Sequence, residues 1–256
     1  MPTWDPQMYL QFASERTQPA VDLLTRIRLA HPARIIDIGC GPGNSTAMLR
    51  QRWPEATILG LDNSPEMLAA AKQAYPSEHW LLADAASWQA DRPFDLVFSN
   101  AALQWLPDHA TIFPQLLAQV APGGALAVQV PAHYDSPLHR VTLDVAKVPA
   151  WRHRMDRPRQ ALTHEPPAFY YRLLRPHAVQ IDIWETEYYH IVDGAQDVVT
   201  WFRGTALRPF LEALESDTHR LDFEQQVLEG YTRAYPSQPD GRVLFPFRRL
   251  FMVAYH

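Results

Sequence analysis

The 256-residue chain has a single cysteine, Cys40. A lone thiol excludes an intramolecular disulfide and any metal site built on several cysteines. No apolar run approaches the roughly 20 residues that cross a bilayer as a helix. The opening Met1-Pro2-Thr3-Trp4-Asp5-Pro6 has neither the basic region nor the apolar core of a secretion signal. These absences lead us to expect a cytoplasmic protein. Basic runs are missing as well. Lys plus Arg number 23 against 28 Asp plus Glu, a formal net charge of −5, which argues against general nucleic-acid binding and confines any anion site to a local basic pocket. His133, His139, His153 and His164 are spread along the chain without the tight spacing of an H-E-x-x-H or Cys/His set, so no metal is expected. There is no internal repeat and no low-complexity segment.

What is present centres on Arg34 to Asn44. Ile35, Ile36 and Ile38 form a short β-branched run suited to a strand buried on both faces of a parallel sheet. Gly39, Gly41 and Gly43 follow at alternate positions, where a missing Cβ allows positive φ and close approach of a ligand. Asn44 to Trp53 then predicts a helix stopped by Pro54. Strand, glycine turn and helix are the first half of a nucleotide-binding βαβ unit. A dinucleotide fingerprint would need glycine where Asn44 stands, and a phosphate loop would need a Gly-Lys-Ser/Thr ending.

The rest of the chain predicts an alternating α/β sheet. Thr17 to Ile27 carries a helical apolar stripe, with Pro19 expected in its first turn. Ala56 to Asp62 reads as the second strand and ends on a carboxylate placed to accept hydrogen bonds from ribose hydroxyls, about 20 residues past the glycines. Ser64 reads as an N-cap with Pro65 at the first helical position. His79 to Ala83 ends at Asp84, Phe94 to Ser99 feeds Asn100, and Asp108 to Val120 predicts a helix. Pro122-Gly123-Gly124 predicts a turn into a fifth strand, Ala125 to Val130. From Pro131 to Pro167 periodicity fades. Phe169 to Leu174 is helical in pattern, Val179 to Ile183 alternates as an antiparallel edge strand continuing toward His190, Ala195 to Arg203 and Leu207 to Tyr235 predict helices, and Val243 to Tyr255 fits a last strand. Trp4, Tyr9 and Phe12 have two readings: packing of a terminal segment, or a flap over a ligand. Asp37, Asp62 and Asp84, all near strand ends, suit a ligand rich in donors and would repel a triphosphate.

The Asp37-x-Gly39-x-Gly41-x-Gly43 pattern and the motifs that follow it resemble the class I S-adenosylmethionine-dependent methyltransferases from Arg34 to Val130. Over nearly its full length the chain is similar to the trans-aconitate methyltransferases. That likeness rests on Trp4-Asp5-Pro6, Glu15-Arg16, Gln51-Arg52-Trp53-Pro54, Leu103-Gln104-Trp105-Leu106-Pro107-Asp108-His109, Leu126-Ala127-Val128-Gln129, Tyr170-Tyr171, Leu207-Arg208-Pro209 and Arg249-Leu250-Phe251. Residues 152–167 and His133 depart most from the pattern. The resemblance implies a Rossmann-like α/β fold with a mostly parallel seven-stranded sheet, helices on both faces and a helical lid insertion. It implies one domain over residues 1–256, with a cap at 1–30, a cofactor-binding core at 31–130 and lid insertions at 131–178 and 191–240.

The implied reaction moves a methyl group from S-adenosylmethionine to a carboxylate of trans-aconitate or a similar small polycarboxylate, leaving a monomethyl ester and S-adenosylhomocysteine. The implied cofactor residues are Asp37, Gly39, Cys40, Gly41, Gly43, Asp62, Asn63, Asp84, Ala85 and Asn100. A carboxylate is already ionised at neutral pH, with a pKa of about 4, so no general acid or base is expected. Arginine pairs bidentately with carboxylate, which makes Arg16, Arg208 and Arg249 the candidate acceptor-binding groups, with Gln104, Trp105, Tyr170, Tyr171 and Trp201 as walls. No metal, nucleic acid, membrane or obligate protein partner is implied. Two other readings remain at this level: a methyltransferase acting on carbon or a phenol, and a non-catalytic S-adenosylmethionine-binding regulator.

Overall fold

The computed structural model describes residues 13–132, 135–163 and 165–256, with side chains from Thr17 onward. The Trp4 to Phe12 segment, the Arg16 side chain, His133 and His164 lie outside the described residues.

The first helix among the described residues, α1 (Ala13–Arg26), begins earlier than its apolar stripe implies. Pro19 therefore lies inside it, and one intrahelical bond is forgone. The strands β1 (Arg34–Ile38), β2 (Thr57–Asp62), β3 (His79–Leu82), β4 (Phe94–Asn100) and β5 (Val120–Pro131) are connected through α2 (Asn44–Arg52), α3 (Pro65–Ala74) and α4 (His109–Leu117). Further on come α5 (Pro137–Val145), α6 (Asp156–Arg159), α7 (Pro167–Leu174), β6 (Gln180–Val192), α8 (Ala195–Arg203), α9 (Arg208–Glu212), α10 (Asp217–Ala234) and β7 (Val243–Tyr255).

All seven strands form one sheet in the order β3-β2-β1-β4-β5-β7-β6. Pairings from β3 through β5 are parallel, and Ile35, Ile36 and Ile38 are fully buried within them. β7 runs the other way, antiparallel to both of its neighbours, β5 and β6. Gly123 N donates to His256 O at one end of β5 while Ala132 N donates to Arg248 O at the other, and Val179 N donates to Tyr255 O. The Trp184 and Phe251 rings stack at 5.0 Å between β6 and β7. The chain passes outward from β1 to β3, then returns to β4 on the other side of β1. That reversal opens a crevice at the carboxyl ends of β1 and β4, where ligands bind in sheets of this type.

Three local expectations need correction. Pro122-Gly123-Gly124 does not end the chain's run as a turn; it continues β5, with Gly123 at φ +81°, because His256 supplies backbone partners there. The faded region contains a real helix, α5, which the Ser136-Pro137 pair starts: Ser136 Oγ accepts from His139 N. The expected long helix from Leu207 breaks into α9 and α10 because Ser216 caps a new start, accepting from His219 N.

The chain forms two compact units. One takes in the described residues up to Pro131 together with 165–186 and 250–256; the other covers the described part of 132–164 and 187–249. The expected insertion 131–178 is therefore divided, since α7 belongs to the first unit. Among the described residues, no helix is long and apolar enough to cross a membrane.

Candidate active site

The site is built where β1 ends. Gly39 N and Cys40 N both donate to Leu61 O, at 2.7 and 3.0 Å, which pins the glycine loop to the end of β2. Gly39, Gly41 and Gly43 have φ of +70°, +55° and +94°, a conformation that L side chains rarely adopt. Their surroundings differ. A Cβ on Gly39 would lie 2.1 Å from Ala102 Cβ, and one on Gly43 would lie 2.8 Å from the Trp80 and Tyr75 rings. A Cβ on Gly41 would meet nothing within 4 Å. Gly39 and Gly43 therefore serve packing, and Gly41 leaves its backbone open toward the crevice.

Two carboxylates hold this loop. Asp62 Oδ2 accepts from Gly41 N and its Oδ1 from Ser64 N, both at 2.9 Å. One side chain thus clasps the glycine loop and the start of α3. Asp37 is fully buried. Its Oδ2 accepts from the Ser45 and Thr46 hydroxyls at 2.6 and 2.7 Å, while Oδ1 has no hydrogen-bond partner among the described residues. Burial pushes the Asp37 pKa up to about 6 against the downward pull of those two hydroxyls, with nearby Asp62 adding to the rise. Burial also raises Asp62, and backbone N–H groups of Ser64, Gly41 and Asn63 oppose it. Cys40 is buried, and burial next to Asp37 and Asp62 holds its thiol far above the usual range. It is an inert wall rather than a nucleophile.

Thr17, Ala20, Gly39, Cys40, Pro42, Asn44, Ser45, Met48 and Asn100 line a cleft of about 350 Å³ of empty space. No lining residue is basic, and Asn100 adds a buried Oδ1 without a partner among the described residues. An open glycine backbone, acidic groups beneath it and unpaired acceptors fit S-adenosylmethionine, which brings an ammonium, ribose hydroxyls and a sulfonium. They do not fit a polyphosphate. Of the other expected cofactor residues, Asn63 and Asp84 are exposed and Ala85 half-buried at the ends of β2 and β3. Asp84 Oδ1 accepts from Ala86 N.

Beyond β4, Ala101 is held at φ +54°. Gln104 Nε2 donates to Ala101 O at 2.7 Å within the 3₁₀ turn Leu103–Trp105. Gln104 is buried and its Oε1 has no partner among the described residues. Tyr170 is wholly buried, with its hydroxyl on His109, whereas Tyr171 is exposed. Trp201, Arg208 and Arg249 belong to the second unit. Trp201 is buried, packing edge-on to His190 and Phe245. Arg208 Nε stands 3.7 Å from Glu212, and its side chain is 12% exposed. Arg249 is buried, its guanidinium 4.0 Å above the Phe247 ring.

Three residues of the first unit, two of them within the matched motifs, were assigned no role from the sequence. Trp80 lies against Gly60, where a Cβ would sit 2.4 Å from its ring. His109 lies buried behind the 3₁₀ turn. Gln129, opposite Asn100 on β5, is fully buried. A glutamine in an otherwise apolar strand was the available signal for the last. Among the described residues, no group of three or more His, Cys, Asp or Glu could hold a metal ion.

Residues 35–124 match the methyltransferase-domain family. A trans-aconitate 2-methyltransferase of Azoarcus sp. (strain BH72) is 50% identical over 254 residues, covering 99% of both chains. One of Yersinia pestis (strain Pestoides F) is 45% identical over 256 residues, covering 100% of this chain and 99% of its own. Among solved structures, a methyltransferase of Bacillus halodurans matches 93% of this chain and 98% of its own with a TM-score of 0.62 at 14% identity. A Haemonchus contortus phosphoethanolamine N-methyltransferase solved with S-adenosyl-L-methionine matches 97% of this chain and 56% of its own, with a TM-score of 0.60 at 14% identity. At such identities those two structures speak for the fold alone.

Proposed function

The chain belongs to the trans-aconitate 2-methyltransferase family, and from that membership we propose that it methylates a carboxylate of trans-aconitate, using S-adenosylmethionine. The observation that carries the cofactor half is the Gly41 backbone left open beside the half-buried Asp62, with the buried Asp37 behind the same loop, at the β1–β4 crevice. The acceptor half rests on relatives that match from end to end.

When bound, the cofactor supplies an electrophilic methyl carbon whose bonding pair to sulfur leaves with the sulfur. The chain's own residues then bind and orient. Asp62 accepts from the ribose hydroxyls with the lone pairs that Gly41 and Ser64 leave. Asp37 and Asn100 offer acceptors to the ammonium, and Gly39, Cys40, Gly41 and Gly43 form the floor. Asn63, Asp84 and Ala85 flank it. Arg16, Arg208 and Arg249 hold carboxylates of the acceptor, with Gln104, Trp105, Tyr171 and Trp201 as walls. Tyr170 acts through His109 on the turn that carries Gln104 and Trp105. Residues 1–30 serve as a cap, and 131–178 and 191–240 as a lid, to the 31–130 core, all within one methyltransferase domain. No proton moves, so no general base is needed: the nucleophile is ionised at neutral pH, and alignment and exclusion of water supply the rate.

The test is product chemistry. Purified enzyme with S-adenosylmethionine and trans-aconitate should release S-adenosylhomocysteine and a methyl ester that yields methanol in mild alkali. Its kcat should be nearly flat from about pH 6 to 8. An alkali-stable product whose formation rises steeply with pH would overturn the reading.

A further inference from the structure

Gln129 is 0% exposed, and neither its Nε2 nor its Oε1 has a hydrogen-bond partner among the described residues. Exchanging the two amide atoms would not help, since both are unpaired. Its place in the sheet is well defined. It is the parallel register partner of Asn100, so the two side chains leave the sheet on the same face. Its own carbonyl accepts from Ala101 N at 2.9 Å, which ties it to the turn after β4. Below it on that face of β5 stand Ala127 and Ala125, which give its amide nothing polar to meet. Asn100 Oδ1 and Gln104 Oε1 are also buried and unpaired. Three amides at the carboxyl ends of β4 and β5 thus carry unmet hydrogen-bonding capacity. Buried polar atoms are nearly always paired, because leaving one unpaired costs its full desolvation. A cluster of exceptions at a strand-end crevice points to a ligand that completes it.

We propose that Gln129 binds the carboxylate of the acceptor that receives the methyl group, donating from Nε2 beside Asn100. This rests on the carboxyl-methylation reading above. Three observations favour the acceptor over the cofactor. The groups around the glycine loop are acceptors, matched to the cofactor's donors. Gln129 is the fully buried member of the cluster with an uncommitted pair of N–H donors, because Gln104 Nε2 is engaged by Ala101 O and Asn100 is only half-buried. It stands on β5, one strand farther from the glycine loop than Asn100. Its neutrality matters too. A guanidinium holding the reacting oxygen would stabilise the anion and blunt its attack. An amide orients the same oxygen and leaves most of its charge available. Arginines suit the carboxylates that do not react, and Gln129 suits the one that does.

Gln129→Leu in the full-length enzyme tests this. The substitution removes the unpaired polar atoms and keeps similar volume, so the melting temperature should hold or rise. The affinity for S-adenosylmethionine should be unchanged by calorimetry. For trans-aconitate, kcat/KM should fall roughly 10- to 100-fold, the scale of losing hydrogen bonds to a charged group. Gln129→Glu, which sets a second carboxyl group against the acceptor, should fall further and recover part of its activity as the pH is lowered. Kinetics for trans-aconitate that match wild type in Gln129→Leu would overturn the proposal. So would a loss confined to cofactor affinity. Should Gln129→Leu fail to fold, Gln129→Glu decides, and wild-type kinetics in it overturn the proposal equally. The wild-type control separates the two levels: a wild type that forms no ester from trans-aconitate overturns the functional reading and this inference with it.

Discussion

The Tyr170 hydroxyl lies 2.7 Å from His109 Nδ1, and His109 Nε2 lies 2.9 Å from Leu103 O, with both side chains buried. A carbonyl can only accept, so Nε2 carries the imidazole proton and Nδ1 accepts from Tyr170. The pair props the turn that bears Gln104 and Trp105 from behind.

Tyr170→Phe should therefore destabilise the protein by about 1–3 kcal/mol, because it strands a buried acceptor. At roughly 2–4 °C per kcal/mol for a chain of this size, thermal denaturation will register it. Burial lowers the His109 pKa below its ordinary value. The sign follows: above about pH 6.5 the imidazole is neutral in both folded and unfolded states, and its contribution is fully present. As pH falls below that value the unfolded chain binds a proton that the folded one refuses, and stability is lost toward the folded pKa. The difference in stability between wild type and His109→Gln should shrink as pH drops from about 6.5 to 5. A constant difference would show that His109 is not held neutral.

The proposed place of Asp37 at the cofactor's ammonium predicts a pH-dependent cofactor affinity. The Asp37 carboxyl has its pKa raised to about 6, so above that value it presents a buried anion to a cationic ligand, and below it the anion is neutralised. Affinity for S-adenosylmethionine should weaken as pH falls below about 6, by up to tenfold per unit. Asp37→Asn should bind more weakly at pH 7 and lose that dependence. Asp62→Ala should cost roughly 1.5–3 kcal/mol of binding at pH 7.5, the scale of hydrogen bonds to a charged acceptor. Calorimetry between pH 5 and 7.5 measures both. A wild-type affinity level across that range would remove Asp37 from the ammonium site.

The arginines proposed to hold the acceptor make a different prediction. Arg249 is buried above Phe247, and Arg208 lies mostly buried near Glu212. Replacing either with Gln should leave an acceptor carboxylate unpaired, at a cost of several kcal/mol. The loss should appear in KM for trans-aconitate and not in cofactor affinity. Arg249→Lys should not rescue, because an ammonium lacks the planar fork and stacks poorly on Phe247. A variant with a lower melting temperature and an unchanged KM would assign that arginine to folding.

How far the sequence could be read follows the range of the forces. The strand, glycine turn and helix from Arg34 to Arg52, and the Ser64 cap of α3, came through because neighbouring residues decide them: β-branched side chains, positive φ and one hydroxyl reaching three residues on. The β6 edge strand came through on its alternation, and extends to Val192. Pro122-Gly123-Gly124 did not, because its local preference for a turn is overridden by pairing to His256 at the far end of the chain. Tyr170 had been expected to face a ligand. Its packing on His109 and Phe113 depends on α4 and α7 meeting, which no local pattern encodes.

Thus the amino-acid order by itself determined the kind of ligand loop, the place of Asp62 at a strand end and the alternating α/β plan, since each rests on backbone conformation and periodicity within a few residues. Only the tertiary structure decided what those groups do. It showed that Gly41 stays open while Gly39 and Gly43 are filled, that Asp62 clasps two backbone segments, and that Asp37 is buried deeply enough for desolvation to push its carboxyl up to about 6. It also showed that Gln129 is buried without a partner among the described residues. Openness, desolvation and unmet hydrogen bonds are properties of what surrounds a residue. In this sheet, strands far apart in the chain supply the surroundings.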